Sequence, residues 1–198
     1  GPSHDLPIEK SHLAACEPDY SGCLAAIDAP PPVIAIRGNR TLLNRQSIAM
    51  VGARDASAAG RRMARDLARD LGQAGYVIVS GMARGVDGEA HGAAMETGTV
   101  AAIAGGIDQI YPPQHEQLYG ILAQRGCLVS ESPFGYVAQA RDFPKRNRVI
   151  SGLSLATIVV EAADRSGSLI TARFALEQGR EVMAVPGSPL DPRARGAN

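Results

Sequence analysis

With 198 residues, 45% of them apolar and 20% charged, the chain is long enough for one substantial core and too apolar for a disordered polyelectrolyte. Twenty Lys and Arg balance twenty Asp and Glu, so the surface as a whole is unsuited to coating duplex DNA or an anionic membrane. No apolar run approaches the length needed to cross a bilayer, so no membrane partner is expected and any anion site has to be local.

In chain order, Gly1-Pro2-Ser3-His4 reads as an expression-tag remnant, and residues 1–28 together read as an N-terminal arm. Cys16, Cys23 and Cys127 have no metal-like spacing and leave an odd thiol under any pairing, which fits reduced cysteines in a cytoplasmic protein. Cys127 itself reads as a small buried hydrophobe. Pro30-Pro31-Pro32 stiffens the entry to a single domain over residues 29–198.

Within that domain, strands are expected at 33–37, 47–52, 76–80, 100–104, 127–130, 156–161 and 181–185. Runs such as Tyr76-Val77-Ile78-Val79 are apolar on both faces, as in parallel sheets covered by helices on each side. Helices are expected at 57–74, 85–97, 114–124, 145–153 and 168–178. In the first of these, Met63, Leu67, Leu71 and Ala74 define an apolar face, and Gly75 supplies the stop. The alternation implies an α/β fold: one doubly wound, mostly parallel sheet flanked by helices.

The residues that follow the strands are small, polar and cationic: Gly52-Ala53-Arg54, Ser80-Gly81-Met82-Ala83-Arg84, Gly105-Gly106, Ser130-Glu131-Ser132 and Arg165-Ser166-Gly167-Ser168. In a parallel sheet these ends share one rim, where open α/β folds bind ligands. Glycines there let a ligand approach the backbone, and amides at the helix starts attract phosphate. The same residues are also ordinary turn formers, but their number and the interleaved arginines favour an anion-binding rim.

Arg141-Asp142-Phe143-Pro144-Lys145-Arg146-Asn147-Arg148 packs four cations and one aromatic into eight residues of a neutral chain, and Lys145 is one of only two lysines. Arg and Lys meet phosphates while Phe143 can stack on a base, so the segment suits a polyanion with bases. A solvated helix start with Pro144 in its first turn fits the same residues. One aromatic in a local rim pocket points to single strands rather than to a broad duplex-reading face.

Enzymatic signatures are weak. The turn at Gly52 lacks the later glycines of the dinucleotide fingerprint, and no phosphate-binding Gly-x4-Gly-Lys-Ser/Thr loop is present. Asp87 and His91 lie one helical turn apart, but with no third ligand they read as a hydrogen-bonded pair rather than a metal site. Glu131 and Glu161 read as partners for rim arginines. Ser80, Ser166 and Ser168 lack a His–Asp relay. No cofactor, metal or catalytic residue is therefore expected.

Val51-Gly52-Ala53-Arg54, Ser80-Gly81-Met82-Ala83-Arg84-Gly85-Val86-Asp87 with His91, Gly105-Gly106 before Tyr111-Pro112, and the run from Phe143 to Ser154 together resemble the DNA-processing protein A family (DprA, also called Smf) of bacteria. Val160-Glu161-Ala162, Ser166-Gly167-Ser168-Leu169-Ile170-Thr171-Ala172 and Ala184-Val185-Pro186-Gly187-Ser188 continue the resemblance. It implies an extended Rossmann-like domain in a non-enzymatic protein of natural transformation. Such a protein binds and protects incoming single-stranded DNA, helps load RecA recombinase and acts as a homodimer in its full-length form. The DNA contacts it implies fall on Arg54, Ser80, Gly81, Arg84, Gly105, Gly106, Phe143, Lys145, Arg146, Asn147 and Arg148. Gly52, Ser166 and Ser168 join them from the rim reading, and a dimer contact is expected around 168–198. The alternative is a Rossmann-like hydrolase of nucleoside monophosphates, with Glu161 as acid–base and Arg146 on the phosphate. The Pro-Gly-Gly-x-Gly-Thr loop of one such group is missing, and Ser166-Gly167-Ser168 stands in that region.

Overall fold

A computed structural model describes residues 10–198. The reading of Gly1–His4 as a tag remnant lies outside them. The chain runs β1 (Lys10–Ala14), α1 (Gly22–Ala25), β2 (Val33–Gly38), β3 (Ser47–Val51), α2 (Ala58–Gln73), β4 (Val77–Ser80), α3 (Val86–Ala93) and β5 (Thr99–Ile103). It continues through α4 (Glu116–Arg125), β6 (Cys127–Ser130), α5 (Asp142–Gly152), β7 (Ala156–Val159), α6 (Gly167–Glu177) and β8 (Glu181–Ala184).

The eight strands of the described residues form one sheet in the order β1-β2-β6-β5-β4-β3-β7-β8. From β6 to β8 the pairing is parallel, as the continuous apolar runs require. Among the described strands only β2 runs against the others, pairing antiparallel with β6 on one side and with β1 on the other, so that β1 and β2 extend the β6 edge. After β3 the chain winds outward through β4, β5 and β6, then returns to place β7 on the other side of β3. This reversal makes a crevice above the C-terminal ends of β3 and β7, where open α/β sheets hold ligands.

Two features differ from the sequence reading. Within the expected N-terminal arm, residues 10–28 pack onto the domain: β1 pairs with β2 from Lys10↔Arg37 to Ala14↔Val33, and Leu13, Tyr20, Leu24 and Ile27 are buried in the core with Val149, Ile150 and Leu153. The short Lys-Ser-His-Leu-Ala strand carries too little apolar alternation to be seen locally. The second difference is the face of α2. Leu67 and Leu71 are half-buried against the core, but Met63 is 41% exposed and Ala74 is exposed, while Gly60, Ala64, Ala68 and Gly72 make up the fully buried stripe. Small residues at every fourth position let α2 lie close to its neighbours, and a Cβ on Gly72 would stand 2.2 Å from the Thr97 hydroxyl. Close approach, rather than side-chain size, selected the inward face.

Cys127 is fully buried, and burial pushes its thiol up to about 12, so it behaves as a small hydrophobe. None of the helices among the described residues is long and apolar enough to cross a membrane.

Candidate functional site

Three strand-end turns and the starts of α3, α5 and α6 build the crevice. Gly85, with φ +76°, begins α3, and a Cβ there would sit 2.2 Å from the Ala53 carbonyl. Only glycine lets the β4–α3 turn pack against the Gly52-Ala53-Arg54 turn, where the Val86 amide also donates to the Ala53 carbonyl at 3.2 Å. Ser166 caps α6 by accepting from the Ser168 amide, with the two hydroxyls 2.7 Å apart. Asp142 opens α5; its carboxylate accepts from the Gln139 amide and the Tyr136 hydroxyl, both at 2.8 Å, and these bonds hold it below the usual carboxylate range.

Above β3 and β7 these elements enclose an open cavity of about 800 Å³, with Gly52, Arg54, Phe143, Arg146, Asn147 and Ser166 on its walls and Arg165, Ser168 and Arg193 alongside. A smaller hollow of about 90 Å³ shares Arg54, Phe143 and Arg146 and adds Gly81, Arg84 and Gly105. On the far side of α5 a third hollow of about 200 Å³ holds Lys145 beside Ser130, Glu131 and Ser132. The Arg54 and Arg146 guanidinium carbons stand 6.0 and 5.8 Å from the Phe143 ring centre, and the Tyr111 ring meets it at 5.3 Å. Guanidinium groups, aromatic faces and helix-start amides thus converge on one opening, a combination suited to phosphate and flat bases.

Arg146 is both wall and fastening. One terminal nitrogen donates to the Gly81 and Ala102 carbonyls at 2.7 and 2.6 Å, and Nε donates to the Asn147 side chain at 3.2 Å. Asp87 faces it and accepts from the Gly81 and Ala83 amides. A Cβ on Gly81 would lie 3.0 Å from both the Arg146 guanidinium and the Asp87 carboxylate, so this glycine makes room for the pair. Burial raises the Asp87 carboxyl, opposed by the Arg146 charge, and burial lowers Arg146 to about 10, opposed by Asp87.

The remaining rim residues divide by exposure. Arg54, Arg84, Lys145 and Arg165 are exposed. Ser80 is fully buried and donates to the Met50 carbonyl at 2.6 Å, tying β4 to β3. Gly105 and Gly106 lie under the 133–138 loop, with the Gly106 amide donating to the Tyr136 carbonyl at 2.8 Å. Arg148 points away from the cavity, paired with Glu131 and donating to the Ala29 carbonyl. Asn147 is buried and donates to the Gly167 carbonyl, joining α5 to α6. The sequence places Ser80, Gly105 and Gly106 on the rim and Asn147 and Arg148 in the basic segment, and carries no local signal that these positions are buried or half-buried.

Two local readings are corrected. His91 does not pair with Asp87: its Nδ1 lies 2.7 Å from the Thr99 hydroxyl, whose own proton goes to the Ile78 carbonyl, so Nδ1 is the donor. Glu161 does not serve an arginine as its hydrogen-bond partner. Its carboxylate accepts from the Ser57 amide at 3.0 Å and the Ser57 hydroxyl at 2.5 Å, anchoring the start of α2. Among the described residues no three His, Cys, Asp or Glu side chains group as metal ligands would. Tyr111 and Arg193 enter the site without having been chosen from the sequence. In the sequence Tyr111 stands out only as part of the Tyr111-Pro112 motif, and Arg193 lies in a tail without apolar periodicity.

Fold and site define a Rossmann-like α/β protein with an arginine- and aromatic-lined crevice at the switch point of its sheet. The pattern of the DNA recombination-mediator protein A family matches residues 11–198, and the chain belongs to that family. It is 46% identical over 180 residues to the DNA processing protein DprA of Bacillus subtilis, covering 89% of this chain and 61% of that protein. The chain thus spans about three fifths of that relative's length. The X-ray structure of DprA from Streptococcus pneumoniae superposes with a TM-score of 0.91 at 36% identity, over 96% of this chain and 67% of that one. DNA processing protein A from Helicobacter pylori, described for its single-stranded DNA binding mode, superposes with a TM-score of 0.86 at 28% identity, over 96% and 86% of the two chains.

Proposed function

We propose that this chain is the single-stranded-DNA-binding domain of a recombination mediator, and that the strand lies in the β3/β7 crevice. The carrying observation is the cavity of about 800 Å³ in which the exposed Arg54 and Arg165 share the walls with Phe143 and Tyr111, while Arg193, forked onto Asp191, lies alongside, in a chain of zero net charge. Exposed cations at an open crevice serve phosphates, and ring faces serve unpaired bases. Kinship with recombination mediators supports a cytoplasmic role in natural transformation, with the bound strand protected and then passed to RecA recombinase. Exposed Leu176 and Met183 beside the β8 edge suit the homodimer contact of the full-length protein.

The domain acts here by binding rather than by turnover. Glu161, the acid–base candidate of the hydrolase alternative, is occupied with the start of α2, and Arg146 is bonded to two backbone carbonyls. Neither is disposed toward a reacting phosphate ester.

Fluorescence anisotropy with labelled oligo-dT and a matched duplex at two salt concentrations tests the proposal. Tighter binding of the single strand is expected, with log K falling against log salt at a slope of about −3 for roughly four phosphate contacts. Equal affinity for duplex, or a flat salt response, would overturn it.

A further inference from the structure

Phe143 is the aromatic that the basic segment advertises, yet its ring is already engaged. Two guanidinium groups stand over it, Arg54 at 6.0 Å and Arg146 at 5.8 Å, and the Tyr111 ring meets it at 5.3 Å with a 55° tilt. The side chain is half-buried. Tyr111 is different: it is 54% exposed, and it forms part of the walls of both the large cavity and the smaller hollow beside it. An aromatic face that stays open where two hollows meet, backed on one side by another ring, is a place for a flat ligand to settle.

We infer that Tyr111 carries the principal base-stacking contact of this site, receiving one unpaired nucleobase of the bound strand on its open face while Phe143 and the two arginines form the backing. The inference rests on the single-stranded-DNA reading and adds to it the residue that holds a base. It also gives Phe143 a positioning part, since removing that ring takes away the support of Tyr111 rather than the contact itself. The stack is independent of charge, so losing it lowers affinity without changing how affinity responds to salt.

The composition supplies a direct optical readout. The chain has five tyrosines and no tryptophan, and of the five Tyr20 and Tyr119 are buried and Tyr76 and Tyr136 are half-buried. Tyrosine emission should therefore fall as oligo-dT saturates the protein, with Tyr111 the main source of the loss. Wild type, Tyr111→Ala and Tyr111→Phe are titrated with labelled oligo-dT at two salt concentrations, with far-UV circular dichroism to establish folding. Tyr111→Ala should bind about 5- to 150-fold more weakly with an unchanged salt slope. Tyr111→Phe should bind within about twofold of wild type yet lose most of the emission quenching. Wild-type affinity in folded Tyr111→Ala, or full quenching in Tyr111→Phe, would overturn the assignment while leaving single-strand binding intact. Failure of the wild type to bind oligo-dT would instead remove the functional reading and this inference with it.

Discussion

The two halves of the rim use the same residue types for opposite ends. Over β4 and β5, Ser80, Gly81, Gly105 and Gly106 are buried, and Arg146 with Asp87 fastens α5 to the strand ends. Over β3 and β7, Arg54 and Arg165 reach solvent around a cavity of about 800 Å³. Glycine beside arginine is thus a joint in one half and an opening in the other. What separates them is whether the arginine's donors are already satisfied by backbone carbonyls.

The largest effect expected from the closed half is a loss of stability in acid. Burial lowers His91 to about 3 from its ordinary 6.5, with the charges of His115 and Arg146 adding to the shift. The unfolded chain takes up this proton near pH 6.5 and the folded one only near pH 3. His91 therefore contributes stability that is present above 6.5 and lost as pH falls through this window, by about 1.4 kcal/mol per pH unit. Urea unfolding of wild type and His91→Gln at several pH values between 7 and 4 should show a shallower pH dependence in the variant. Parallel curves would mean that water reaches the interior beneath β4 and β5.

Replacing Arg146 comes next. Arg146→Ala removes three donors from the Gly81 and Ala102 carbonyls and the Asn147 side chain, and leaves Asp87 without its cation. A loss of about 3 kcal/mol in denaturant unfolding is expected, toward the lower end for breaking a buried pair because part of the guanidinium reaches the cavity. A variant of unchanged stability that failed only to bind DNA would move Arg146 into the open half.

Legibility follows the same division. Strands β3 to β8 appear in the sequence within a residue or two, because buried parallel strands are continuous apolar runs with small residues at their ends. The alternation also predicts the winding, and with it the shared rim. Burial along the rim was not legible: Ser80 differs from an exposed serine through the Met50 carbonyl 30 residues away, and Arg148 from a free arginine through Glu131, 17 residues away. Tyr111 escaped selection for a related reason. One exposed tyrosine has no periodic signature, and its value comes from the Phe143 ring that α5 brings beside it.

Arg54 tests the open half. It is exposed and over the Phe143 ring, so Arg54→Ala should leave the unfolding curve within about 0.5 kcal/mol of wild type. Affinity for oligo-dT should fall about tenfold, and the salt slope should become shallower by about 0.7, the value for one phosphate contact on a single strand. An unchanged slope with weakened binding would make its contribution one of stacking on Phe143 rather than of charge.

The smallest effect belongs to Arg84, which separates position on the rim from structural commitment. It lies on the same turn as Gly81, in the closed half by sequence, but its guanidinium meets Asp55 at 3.6 Å, with side chains 53% and 88% exposed. A pair so wet gains little, because water and salt screen it and two long side chains lose freedom to hold it. Arg84→Ala should therefore change stability by less than about 0.5 kcal/mol, read as an unaltered urea midpoint at low and high salt. A loss above about 1 kcal/mol, larger than exposed pairs supply, would show that solvent exposure does not divide this rim. The line between joint and opening would then have to be drawn by turn rather than by side chain.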